Sequence, residues 1–194
     1  MPSPAATRHV GRRVDIANLL SAAKRARTSE KRVVLHASLA AVVAAWESYV
    51  EDLLAAALAE VAHAAPMAHQ RSVALLTDLA TGAKDRFNTP NAENARELLV
   101  RYTGYDCLPD WVMPRRGMQG IAVRTRLNEI VKVRHAFAHG FPMPAYAWNS
   151  TQRGPALSQP IMRWVDSFAA ELVLRTDRGM ARHLNAAFGA QVNW

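Results

Sequence analysis

The chain has 194 residues, half of them hydrophobic, which excludes an intrinsically disordered protein and suffices for one domain with a buried core. Its single cysteine, Cys107, excludes an internal disulfide framework and fits a reducing cytoplasm. Lysine and arginine outnumber aspartate and glutamate 24 to 16, a formal net charge of +8. Such an excess draws a protein toward a polyanion, RNA or DNA first, although an arginine-rich composition alone produces the same balance and says nothing of fold.

The start, Met1-Pro2-Ser3-Pro4, lacks the basic-then-apolar pattern of a secretory signal. No apolar run approaches the roughly 20 residues that span a bilayer, so a cytoplasmic location and no membrane partner are expected. Residues 1–11 read as a disordered arm, 12–185 as one helical domain and 186–194 as a C-terminal tail. A first helix is predicted over 12–27, with Lys24, Arg25 and Arg27 at the end where cations suit the helix dipole. A long second helix follows over 29–64. There Leu35, Leu39, Val42, Trp46, Tyr49 and Leu53 recur at three- and four-residue spacing and form one apolar stripe, and Pro66 ends it. A third helix over 68–80 is expected to stop at Gly82. Next comes Phe87-Asn88-Thr89-Pro90-Asn91-Ala92-Glu93-Asn94, which reads as a helix start: Thr89 or Asn91 as cap, Pro90 in the first turn and Glu93 at the positive end. The helix runs to Tyr102, with Gly104 as its stop. After a loop over 105–117, a fifth helix covers 118–138 and ends at Gly140; a long loop over 141–157 leads to a last helix from Ser158 into the 180s. No segment has strand periodicity, so the fold class is all-α, a helical bundle with a long second helix and an extra C-terminal helix.

Residues step about 100° around a helix. On that wheel Val123, Leu127, Ile130, Val131, Phe137 and Ala138 of the fifth helix share a core-facing arc, with Arg134 near its middle. Asn128, Lys132, His135 and His139 form a polar stripe along its edge. A guanidinium is almost never fully buried unless paired. Arg134 is therefore either a strut bonded to a carboxylate on a neighbouring helix or a cation facing an open cleft. His135 and His139, four residues apart near a helix C-terminus, share one face. They either bond free carbonyls there or serve as acid–base groups; two histidines at this spacing also suit a metal, but no third ligand accompanies them.

The segment Arg134-His135-Ala136-Phe137-Ala138-His139-Gly140 resembles the Arg-x4–6-His motif of HEPN domains. Together with the 87–94 segment, Gly104, Trp111, Arg126-Leu127-Asn128-Glu129-Ile130-Val131 and Trp46-Glu47, it is similar to the RiboL-PSP group of these domains over roughly residues 30–180. The resemblance implies a HEPN-type bundle acting as an endoribonuclease without metal or other cofactor, its cleft shared between the two copies of a homodimer. Arg134 would stabilise the phosphorane, His139 would act as general base or acid, and His135 would orient His139 or the substrate. Asn128 and Glu47 would support them, with Glu47 the candidate partner of Arg134 or else an ordinary helix carboxylate. Small members of the family are effectors of bacterial defence or toxin systems, often checked by a neutralising or regulatory protein encoded nearby. Some bind RNA or a protein partner without cutting.

Trp111, Arg115 and Arg116 lie in a basic, aromatic loop that either stacks a base and holds phosphate or leaves Trp111 covering the core. Arg124, Arg126 and Lys132 on the motif helix are further candidates for RNA contact, or are solvated. The 141–157 loop, with Tyr146, Trp148 and Arg153, is expected to border the cleft. Cys107 reads as a small buried residue.

Overall fold

Helix α2 (Thr28–Ala64) is the spine, because its apolar residues are not confined to one stripe: Leu35, Leu39, Val42, Val43, Trp46, Val50, Leu53 and Leu54 are all buried. Around it a computed structural model, which describes residues 1–192 and 194, places α1 (Pro4–Arg25), α3 (Gln70–Lys84), α4 (Ala92–Thr103), α5 (Gly120–Ala138) and α6 (Gln159–Phe188). A two-residue antiparallel pairing, β1 (Ser150–Thr151) with β2 (Gly154–Pro155), is the sole strand structure among the described residues. The fold is all-α, as the periodicity predicts.

Helix α1 folds back antiparallel on α2 and also lies against α6, where Arg13 forks onto Asp166 (2.9 and 2.6 Å) and Gln159 donates to the Leu20 carbonyl (2.8 Å). Its start corrects the expectation of a disordered arm over 1–11. Ser3 caps the helix by accepting the Ala6 amide (3.0 Å), and Pro4 occupies the first turn, where a missing N–H costs nothing. Both groups of Ser3 reach Asp177 on α6: the amide donates at 3.0 Å and the hydroxyl donates to the other carboxylate oxygen. Ala5, Ala6 and His9 are buried behind this anchor. The partner of Ser3 lies 174 residues away in sequence, beyond the reach of a local pattern.

The third helix is longer than predicted, running through Gly82 to Lys84. A glycine inside a helix costs only about 1 kcal/mol, which the packing of Val73, Leu76, Ala80 and Ala83 outweighs. Helix α4 starts as the sequence suggests, with Asn91 as the cap (its side chain accepts the Asn94 amide at 2.8 Å) and Gly104 closing it at φ 76°. The 186–194 tail is also partly corrected. Helix α6 extends to Phe188, and the chain then turns back at Gly189 so that Ala190 and Val192 are buried, with the Val192 amide on Asn185 Oδ1 (2.8 Å).

Helix α2 is, among the described residues, the one helix long and apolar enough by composition to cross a membrane, although the sequence reading expects no such run. Its apolar sides are covered by the other helices of the bundle.

Removing residues 1–11 takes two donors from a buried carboxylate, a change that costs roughly 3–5 kcal/mol when it strands a buried charge. The truncated chain should melt well below the full-length one in a circular-dichroism thermal scan; equal midpoints would mean that these residues are an unattached arm.

Candidate functional site

The middle of α2 sets the site's frame. Trp46 is buried and donates its indole N–H to the Pro90 carbonyl (2.9 Å), which holds the start of α4 against α2. Asn128 of α5 then spans to the same place: its Oδ1 accepts the Ala92 amide (2.8 Å), and its Nδ2 donates to Glu93 (2.8 Å), which also binds Arg124. Asn128 is therefore an architectural residue that joins α5 to α4. Val123, Leu127, Ile130, Val131, Val133 and Ala136 bury the core side of α5, which runs antiparallel to α2.

Helix α5 ends in a paired-bond stop. The Phe141 amide donates back to the Ala136 carbonyl (2.8 Å) and the Gly140 amide to Phe137 (3.3 Å), with Gly140 at φ 70°. This closure needs a left-handed residue at 140, which glycine adopts without steric cost. The wheel's apolar arc is corrected at this end: Phe137 is 44% exposed and Ala138 is exposed, because the last turn projects beyond the core. One face of the Phe137 ring rests on the buried imidazole of His36 in α2, at 4.0 Å and 8° between planes.

Arg134 is half-exposed and, among the described residues, makes no hydrogen bond or ion pair. The strut alternative needs a bonded carboxylate and does not hold. Glu47 is near enough for Arg134 to pull its carboxyl downward, yet burial and the Glu51 carboxylate prevail and hold it above its ordinary value. The expected Glu47–Arg134 pair is thus corrected to a weak electrostatic contact. His135 and His139 are exposed, their ring centroids 4.2 Å apart and tilted by 42°, with Phe141 packed near both (6.3 and 6.0 Å). The unbonded guanidinium and the two imidazoles all project from the last two turns of α5, the imidazoles into solvent and the guanidinium partly so. Such a set can hold an anion and move a proton.

The remaining candidates separate by their partners. Trp111 is fully buried, edge-on to Trp46 (6.1 Å), with its N–H on Thr176 (2.9 Å), so it is a core residue and stacks no base. Arg116 is bound to Glu171 (3.0 Å) and Ser167 (2.6 Å), and both it and Arg126 lie over the Trp164 ring, at 5.4 and 5.1 Å from its centroid. Arg126 also pairs with Glu129 (2.9 Å). These two arginines spend their charge inside the domain. Arg115 and Lys132 are exposed and have no partners among the described residues. In the 141–157 loop Trp148 lies over Trp164 (6.5 Å), facing the bundle. Cys107 is buried, its thiol pushed up to about 12 by burial and the Asp106 carboxylate, which removes it as a nucleophile.

His36 is the residue that sequence reasoning missed. It is 3% exposed, its Nδ1 has no hydrogen-bond partner, and burial with nearby Arg32 lowers it below the ordinary histidine range. The available signal was a polar residue on the buried side of α2, directly beside Leu35. No cluster of three histidine, cysteine or acidic side chains with metal-binding geometry occurs among the described residues.

The family model described as RiboL-PSP-HEPN matches residues 9–153, from the first turns of α1 through the whole motif helix. No curated protein and no solved structure matches the chain.

Because Glu47 is raised by burial and Glu51, it favours the folded state fully only below its unfolded pKa and loses that contribution as pH rises through its folded value. Glu47→Gln should therefore raise the melting temperature at pH 7 and leave it unchanged near pH 4. A lower melting temperature at pH 7 would instead reveal a stabilising pair with Arg134.

Proposed function

The chain belongs to the RiboL-PSP-HEPN family, and from that premise we propose that it is a metal-independent endoribonuclease that cuts RNA by acid–base transesterification. The observation that carries the reading is the unpaired Arg134 beside the exposed His135 and His139 on the last turn of α5. A cation that no carboxylate binds directly, among the described residues, is available to a phosphate. Its position on a rigid helix lets it wait there without reorganisation.

In the reaction, the ribose 2′-oxygen attacks the adjacent phosphorus as a general base removes its proton. Arg134 stabilises the charge that grows on the equatorial oxygens. The bond from phosphorus to the 5′-oxygen breaks as a general acid supplies a proton, leaving a 2′,3′-cyclic phosphate and a 5′-hydroxyl. His139 is the base or acid, and His135, 4.2 Å away between ring centres, orients it or the substrate. One motif has few groups for both proton transfers, and a homodimer that brings two motif ends together supplies both. The exposed Phe137 and Phe141 (44% and 61%) flank the histidines and offer apolar surface for that seam. Lys132 on the same helix, without a partner among the described residues, adds positive charge toward an RNA strand. In a cell the protein would act in the cytoplasm as a toxin- or defence-type effector, held in check by a neutralising protein.

Purified protein should cleave labelled RNA in the presence of EDTA and leave cyclic phosphate ends. Arg134→Ala and His139→Ala should each lose at least about 100-fold in rate, the low end for removing an acid–base group, with melting temperatures near wild type because neither residue is buried in an ion pair. Binding of RNA without cleavage by the wild type would favour a non-catalytic RNA-binding module; undiminished cleavage in either variant would sink the assignment of the site.

A further inference from the structure

A cavity of about 930 Å³ lies beside the motif end of α5, walled by the first turns of α2, the chain just after the motif and the start of α6. Its lining has two chemical characters. Leu35, Met143, Leu157 and Pro160 form an apolar floor, and Lys31 and Arg32 stand on the rim. Both cations are exposed and without partners among the described residues. No lining residue is acidic among the described residues, and Glu30, the carboxylate next to Lys31 in sequence, is turned to the Arg27 amide (3.2 Å).

Two helix N-termini open on this space: α2 at Thr28 and α6 at Ser158 and Gln159. Both starts are capped, by Glu30 on the Arg27 amide and by Ser158 on the Ile161 amide, and each still presents the positive end of a helix dipole. A further observation points to a ligand. His36 is part of the wall and almost wholly buried, and its Nδ1 finds no hydrogen-bond partner. Its ring is stacked on Phe137, which sits between Arg134 and His139 in the motif. Pro142 and Met143, also in the wall, follow His139 by only three and four residues.

We propose that this cavity is an RNA subsite that takes one nucleotide of the strand next to the cut: the base lies on the apolar floor and the backbone phosphate on Lys31 and Arg32. The proposal rests on the reading of the chain as an RNA-acting protein. An apolar pocket with a cationic rim matches a nucleotide, which has a flat, weakly polar base and a charged phosphate. His36 couples the subsite to the motif helix through Phe137, and its unused ring nitrogen offers a hydrogen bond to a base edge once a base displaces the surrounding contacts.

The test uses the full chain carrying His139→Ala, so that bound RNA is not consumed, and a fluorescein-labelled 12-nucleotide single-stranded RNA read by anisotropy. Adding Lys31→Ala with Arg32→Ala should weaken binding by about tenfold in low salt and reduce the slope of log affinity against log salt by about 0.7, the release expected for one single-strand phosphate contact. The control is Arg71→Ala with Arg178→Ala, which removes equal charge from exposed, unpartnered arginines on α3 and the distal half of α6. RNA containing 4-thiouridine should crosslink within residues 142–160. Equal loss in the two double variants, or crosslinks confined to other segments, would overturn the subsite. Binding of AMP, CMP, GMP or UMP that depends on Lys31 and Arg32, with RNA affinity unchanged, would overturn it in favour of a free-nucleotide site. The two proposals fail separately. If the wild type does not cut but the Lys31 and Arg32 dependence of binding holds, the subsite stands without the nuclease; if it cuts and the double variant keeps the same KM, the subsite falls alone.

Discussion

Trp46 carries one polar atom into the centre of the bundle, and the need to satisfy it governs how α4 and α5 meet α2. A buried donor left without an acceptor costs on the order of 1–3 kcal/mol. The Pro90 carbonyl meets the indole N–H, and so the segment before α4 is held at the midpoint of α2. Asn91 then caps the helix that begins there, and Asn128 reaches across from α5 to the Ala92 amide. Three helices are thereby joined through a short chain of hydrogen bonds. The rotation of α5 about its own axis follows from it. With Leu127 and Ile130 turned to the core and Asn128 to α4, the last turn of α5 has Arg134 half out of the domain and both histidines fully outside.

The positive charge divides along the same lines. Arg13, Arg116, Arg124 and Arg126 are matched by Asp166, Glu171, Glu93 and Glu129, and Arg116 and Arg126 also lie over the Trp164 ring. Most of these pairs are partly exposed and contribute little stability each. Their larger effect is to withdraw those arginines from the field that a polyanion would feel. The charge that remains unmatched includes Arg134 and Lys132 on α5 and Lys31 and Arg32 at the start of α2. Because α5 runs antiparallel to α2, the end of the first lies over the beginning of the second. Arg134, Lys31, Arg32, Phe137, Phe141 and the cavity are therefore gathered at one end of the bundle.

Several helix boundaries are legible in the sequence because local chemistry makes them. Asn91 as a cap, Gly104 and Gly140 as left-handed stops and the long apolar pattern of α2 all carry their signal within a few residues. Residues 1–11 were misread because the decisive bonds of Ser3 go to Asp177, and hydropathy patterns do not register a buried polar anchor. Trp111 and Arg116 looked like a nucleic-acid loop for a related reason. An aromatic beside arginines has the same composition whether it faces RNA or, as here, the core and α6.

The sequence by itself determined that the chain is all-helical, and it singled out the Arg134–His139 segment as the place where polar groups break an apolar pattern. Periodicity and capping are local properties, and a guanidinium on an apolar arc is an anomaly at any resolution. Only the tertiary structure decided whether that guanidinium was paired. Its nearest expected partner, Glu47, is on another helix, and a separation of a few ångströms across helices depends on how both are rotated in the bundle. The same holds for His36, which in sequence is one polar residue in a helical stripe. It gained a role only when the fold laid Phe137 against its ring and a cavity beside it.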